Sequence, residues 1–184
     1  MHLGNIESPT REAVGTVGIL LSSEAERMIG NALEYCNAKT AHRGPEQIRE
    51  ALRAENSMVH DYFRHSLACQ IAEYLAQLDP CVVQIYTHNY GDAEEEGEDR
   101  KCGITSNINL IIHVRRKTAA LSSIIWSLDQ ALLERYRQLI APKGERMASL
   151  LDVQMVDDRE VEESIGLGAV LRSVYVRPVR VWPR

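Results

Sequence analysis

The stretch Ser106-Asn107-Ile108-Asn109-Leu110-Ile111-Ile112-His113-Val114 holds the side chains best spaced for chemistry. Its β-branched content predicts a strand, and on a strand residues two apart face the same side. Asn107 and Asn109 therefore project together, while Ile108 and Leu110 turn toward a core. Paired amides so placed suit either the floor of a polar pocket or the solvated side of a strand. The other concentration of reactive groups is Gly91 to Lys101, where Asp92, Glu94, Glu95, Glu96, Glu98 and Asp99 crowd together. Closely spaced carboxylates can hold a cation, but this run lacks the D-x-D-x-D-G spacing of a calcium loop. A solvated, exposed loop is the expectation.

Other groups that could act singly have plainer readings. His60 and His65 are five apart and do not share a helix face, so they do not form a metal pair. Asp61 and His65, four apart, suit a modest surface pair. Arg53 and His60 loosely resemble the spaced Arg and His of the ribonuclease motif of helical HEPN proteins. An exposed Arg and a helix-surface His account for them as well, and the helical region is too short for that bundle. His113 is read as structural. Arg115-Arg116-Lys117 and Arg172, Arg177, Arg180 and Arg184 form a charged rim. No G-x-S-x-G, phosphate-binding G-x-x-x-x-G-K-[ST] or G-x-G-x-x-G stretch occurs, and Gly166-Leu167-Gly168 precedes a predicted strand instead of following one. Cys36, Cys69, Cys81 and Cys102 show no C-x-x-C spacing, which predicts reduced and mostly buried thiols.

The elements that must position these groups follow from periodicity. Residues 1–21 read as a loose arm interrupted by Gly4, Pro9, Gly15 and Gly18. A helix is predicted from Ser22 or Ser23, its cap, to about Asn37, with a stripe of Ala25, Met28, Ile29, Ala32, Leu33 and Cys36. Gly44-Pro45-Glu46 opens a longer helix that Asp79-Pro80 ends, with a break expected near Asn56-Ser57. Residues 81–86 and about 104–115 read as strands joined by the acidic loop, an arrangement that permits a hairpin. A strongly amphipathic helix follows over 118–140. Residues 149–156 form a third strand, Asp157-Asp158 turns the chain into a polar stretch, and a last strand spans about 169–182. The 22–78 helices form an extension to a core at 79–184. The whole is one α/β (α+β) domain with a mixed sheet of about four strands.

Composition bounds the function. The chain has 184 residues, 45% of them hydrophobic and 26% charged, enough for a core without disulfides or metals. Its net charge of −5 disfavours a dedicated nucleic-acid binder. No secretory signal or membrane span is read, so a cytoplasmic location without membrane association is expected. The apolar faces of the long helices suggest a homodimer or other homo-oligomer.

Between them, Ser106 to Ile112, the strand Leu150-Leu151-Asp152-Val153-Gln154-Met155-Val156 and the stretch Ile85 to Ala93 carry a resemblance to DNA polymerase beta-like nucleotidyltransferases. The small single-domain members are the nearest. The resemblance covers roughly residues 65–182. It implies a strand ending at a Gly-Ser turn, a second strand with S-D-x-D, and a third carboxylate on a later strand, here Asp152. This chain departs from that pattern. Thr87 and His88 stand near the turn, and Asn107 and Asn109 stand where the family has its paired carboxylates.

The departures carry chemical consequences. Nucleotidyl transfer in the family uses two divalent cations, held through carboxylates and phosphate oxygens. An asparagine carbonyl is neutral, and losing two anionic ligands weakens metal binding by several kcal/mol. A Tyr or Thr at the turn also obstructs the close backbone approach that Gly permits. The resemblance thus implies a catalytically inactive relative, a binding or assembly module whose remnant pocket is Thr87, His88, Asn107, Asn109 and Asp152, with no metal. Two alternatives stand beside it. One is an active, magnesium-dependent transferase using Asp92, Glu94 and Asp152. The other is an unrelated α/β interaction protein. A nucleotide ligand is compatible with the first two readings but required by no residue.

Overall fold

The computed structural model describes residues 11–41, 44–54, 56–87, 107–140, 147–173 and 178–183. The first helix, α1 (Arg11–Lys39), starts well before the expected Ser22 or Ser23. Ser23 lies inside it and caps nothing. Gly15 and Gly18 lower helix propensity by about 1 kcal/mol each, but a run from Arg11 to Lys39 free of proline still propagates. The expected stripe of Ala25, Met28, Ile29, Ala32, Leu33 and Cys36 is buried and packs on the third and fourth helices.

Pro45 at the first turn opens α2 (Pro45–Arg53), where its missing N–H would have no partner in any case. The expected break follows. Asn56 caps α3 (Ser57–Leu78) by accepting from Val59 N–H at 3.1 Å. Thr118 does the same for α4 (Ala119–Leu139), accepting from Leu121 N–H at 3.2 Å.

The strands are β1 (Val82–Thr87), β2 (Ile108–Val114), β3 (Leu151–Asp157) and β4 (Val179–Trp182), ordered β3-β2-β1-β4. β1 pairs antiparallel with β2, the hairpin-type pairing anticipated. β2 and β3 are parallel, joined through α4. β4 returns antiparallel to the outer side of β1. The sheet is therefore mixed and four-stranded. The acidic stretch, with Asp92 and Glu94, lies outside the described residues, as do His88 and Cys102.

Two expectations fail after β3. The polar stretch at Asp158 is a short helix, α5 (Asp158–Glu162), because Asp157 and Glu160 form a reciprocal capping box. Where a strand was expected from Ala169, the chain forms α6 (Leu167–Arg172), and β4 starts only at Val179. Gly168 makes that helix possible. A Cβ there would lie 2.1 Å from Glu160 O, so only glycine lets α6 seat on α5.

One contiguous buried cluster links α1 to α4 with Ile85, Ile108, Leu110, Ile112, Val114 and Val181 of the sheet. The helices thus cover one face of the sheet, and the N-terminal helices share its core. Ile111 and Val156 are also buried but stand outside that cluster, on the opposite face. Asn109, Ile111 and His113 share that second face by the alternation of β2.

Candidate ligand-binding site

Antiparallel pairing sets the C-terminal end of β1 beside the N-terminal end of β2. The register Thr87 opposite Val179 brings the start of β4 to the same place. Thr87 Oγ1 donates to Val179 O at 3.3 Å and closes this end of the sheet. Here a cavity of about 400 Å³ opens against the helices. Thr87, Asn107, Ile108, Asn109 and Val179 line it from the sheet. Tyr35 of α1 and Asp61, Tyr62, Arg64 and His65 of α3 line it from above.

The helical wall is aromatic and charged. The Tyr35 and Tyr62 rings meet edge to face with centroids 6.3 Å apart, and the His65 ring lies 6.2 Å from Tyr35. Arg64 Nη2 donates to the Asp61 carboxylate at 2.6 Å. The expected Asp61–His65 pair is therefore replaced by an Asp61–Arg64 pair one turn along α3. The sheet wall is neutral. Asn107 and Asn109 are half-buried, and among the described residues neither amide has a hydrogen-bond partner.

Of the residues singled out in the sequence, Thr87, Asn107 and Asn109 thus share one cavity. Asp152 does not line it. The parallel register sets Asp152 directly beside Asn109 on the same face of the sheet. Its side chain is exposed and accepts from Gln154 Nε2 at 3.2 Å. The sequence reading missed Tyr35, Arg64 and the cavity roles of Asp61, Tyr62 and His65. The one available signal was that Asp61, Tyr62 and His65 fall on a single flank of α3, beside the buried stripe of Val59, Phe63 and Leu67.

Several other polar residues are structural. His60 is not on the helix surface. It is buried, and its Nε2 lies 2.9 Å from Leu52 O, tying α3 to α2. Arg53 reaches Leu139 O and Ile140 O, both at 3.2 Å, and so satisfies carbonyls at the end of α4. The spaced Arg and His therefore hold helices together. His113 Nε2 meets Asp158 Oδ1 at 2.8 Å across to α5. Lys117 pairs with Glu160, and Arg172 donates to Glu162 O at 3.0 Å. Cys36, Cys69 and Cys81 form no disulfide among the described residues. Burial pushes the Cys36 thiol up to about 12, far from a reactive thiolate.

Among the described residues, no group of three or more His, Cys, Asp or Glu side chains is placed to hold a metal ion. None of the described helices is long and apolar enough to cross a membrane. No family model, curated protein or solved structure matches the chain.

Proposed function

We propose that this chain is a nucleotidyltransferase-like binding module without transferase activity, working in the cytoplasm and as a homodimer. The observation that carries the reading is the neutral pair at the start of β2. Asn107 and Asn109 border a cavity of about 400 Å³ with their amides unpaired among the described residues, Asn109 projecting from the face of the sheet away from the helices. Among the described residues the carboxylate beside them on the sheet is Asp152, whose neighbour across the ladder is Asn109.

Among the described residues, two amides and one exposed carboxylate do not fit a pair of magnesium ions. Neutral carbonyls leave most of the cationic charge uncompensated, and the Asp61 carboxylate accepts from Arg64. The same groups suit recognition. Amides and a threonine hydroxyl donate and accept hydrogen bonds, while Tyr35, Tyr62 and His65 offer ring faces and edges to a planar ligand. The volume lies within the ordinary range for a small-molecule site. A nucleotide combines a planar base with polar groups and is the natural first probe.

The test is a melting series with the nucleoside triphosphates, each with and without magnesium. A rise with nucleotide that does not depend on metal supports a binding module. Transfer of a nucleoside monophosphate by the purified protein, lost in Asp152→Ala, would overturn the reading in favour of an active enzyme.

A further inference from the structure

The cavity beside Thr87 and Asn107 has a charge balance that bears on what it takes. Along the sheet its border is uncharged, from Thr87 through Asn107, Ile108 and Asn109 to Val179. Among the described lining residues, charged or titratable acid and base groups come from α3, as Asp61, Arg64 and His65. The guanidinium of Arg64 is a permanent cation, and it is already matched. Its Nη2 donates to Asp61 Oδ1 at 2.6 Å, one turn back along the helix. His65 turns its Nε2 to Cys69 Sγ at 3.8 Å. Lys39 is near but does not line the cavity. Its Nζ stands over the Tyr35 ring, 5.4 Å from the centroid.

An anion at this wall meets a specific obstacle. To reach the Arg64 guanidinium, a phosphate must displace the Asp61 carboxylate or stand beside it. Displacement exchanges one charge-assisted hydrogen bond for another and gains little. Standing beside it sets like charges a short distance apart, which disfavours binding. Asp61 cannot retreat far, because residues three apart on a helix remain neighbours whichever rotamer each adopts.

An uncharged ligand meets no such obstacle. The Tyr35, Tyr62 and His65 rings offer faces and edges to a planar heterocycle. The hydroxyl and amides on the sheet side donate and accept without charge. Ring stacking and hydrogen bonds to base edges are the contacts by which proteins hold an unstacked nucleobase. At about 400 Å³ the cavity lies toward the small end of the range of about 300–1,000 Å³ usual for ligand pockets.

We infer that the cavity takes an uncharged nucleoside, and that Asp61 sets this preference by cancelling Arg64 and turning phosphate away. The inference rests on the ligand-binding part of the proposed function and narrows it. A nucleotide enters by its base and sugar, and its phosphates stay in solvent and add nothing to affinity.

The test is calorimetric titration of the full-length protein at about pH 8, where imidazoles are ordinarily uncharged. The probes are the four ribonucleosides and their triphosphates, without magnesium. At least one nucleoside should bind, and its triphosphate should bind no more tightly. Asp61→Asn should raise the ratio of triphosphate to nucleoside affinity about tenfold, as expected for relief of one close like-charge contact. That rise should vanish in Asp61→Asn with Arg64→Gln and shrink in added salt. Asp61 is exposed, so the single variant should keep the unliganded melting temperature. A wild-type preference for triphosphate of about tenfold or more overturns the inference and leaves a binding module standing. A ratio that Asp61→Asn does not move does the same. If neither nucleosides nor triphosphates bind, the ligand-binding reading itself fails and takes the inference with it.

Discussion

At its C-terminal end, β2 runs into polar groups that satisfy one another. His113 meets Asp158, Lys117 meets Glu160, and Glu160 also takes the Asp157 N–H while Asp157 takes the Glu160 N–H. At its N-terminal end, six residues away along the same strand, Asn107 and Asn109 line a cavity and have no partner among the described residues. Both ends carry hydrogen-bonding capacity. One end uses it to hold α5 and α6 on the sheet, and the other leaves it open to solvent or ligand. A polar group satisfied within the fold stabilises it by about 1 kcal/mol, whereas a half-buried one without a protein partner bonds water until a ligand replaces it. The comparison therefore separates a structural end from a binding end, and substitutions can test the separation.

The largest effect belongs to the structural end. Gly168→Ala places a methyl group against the Glu160 backbone, which cannot swing aside as a side chain would. The α5–α6 pair must shift, at a cost of about 1–3 kcal/mol. A lowered denaturant midpoint with an unchanged slope is the expected result. An unchanged midpoint would show that α6 is not seated on α5, and the end would lose its claim to be structural.

A smaller effect at the same end depends on pH. Hydrogen bonding from Lys117, and then from the Asp157 backbone, holds the Glu160 carboxyl below its usual range. A carboxylate whose folded value is depressed contributes stability above its unfolded value of about 4.3. That contribution disappears as pH falls through the lower folded value. Wild type should therefore lose more melting temperature than Glu160→Gln between about pH 5 and about pH 3. Because the Lys117–Glu160 pair is partly exposed, added salt should shrink the difference. Parallel melting curves for the two proteins across that range would show that the pair is not coupled to folding.

The contrast also explains how much of the molecule was legible in the sequence. β2 and α4 were readable because each carries a periodic apolar pattern that burial then enforces, as at Ile108, Leu110 and Ile112 or at Leu121, Leu128 and Leu132. The start of α1 was misread because Gly15 and Gly18 act as breakers only when nothing opposes them. α6 was misread because its packing depends on Gly168 lying against Glu160, a contact that no local pattern encodes. The sheet side of the cavity was legible from the spacing of Asn107 and Asn109. The helical side was not, since Tyr35 and His65 meet only after α1 folds across α3. His60 and Arg53 show the same limit. Their partners, Leu52 O and the carbonyls at the end of α4, are backbone atoms whose positions are set by tertiary structure.

The smallest effect on stability, and the sharpest test of the contrast, is expected at the binding end. Asn107 and Asn109 make no hydrogen bond within the described structure, so Asn107→Ala with Asn109→Ala should change unfolding free energy by no more than about 0.5 kcal/mol. If the cavity binds a nucleotide through these amides, the same double variant should lose the ligand-induced rise in melting temperature while its unliganded melting temperature stays put. Asp152→Ala discriminates further. Asp152 shares a face with Asn109 but lies outside the cavity, so its removal should leave metal-independent binding largely intact. Loss of binding in Asp152→Ala together with a requirement for magnesium would place a cation between Asp152 and the ligand, and the end of β2 would then have to be understood as an atypical metal site.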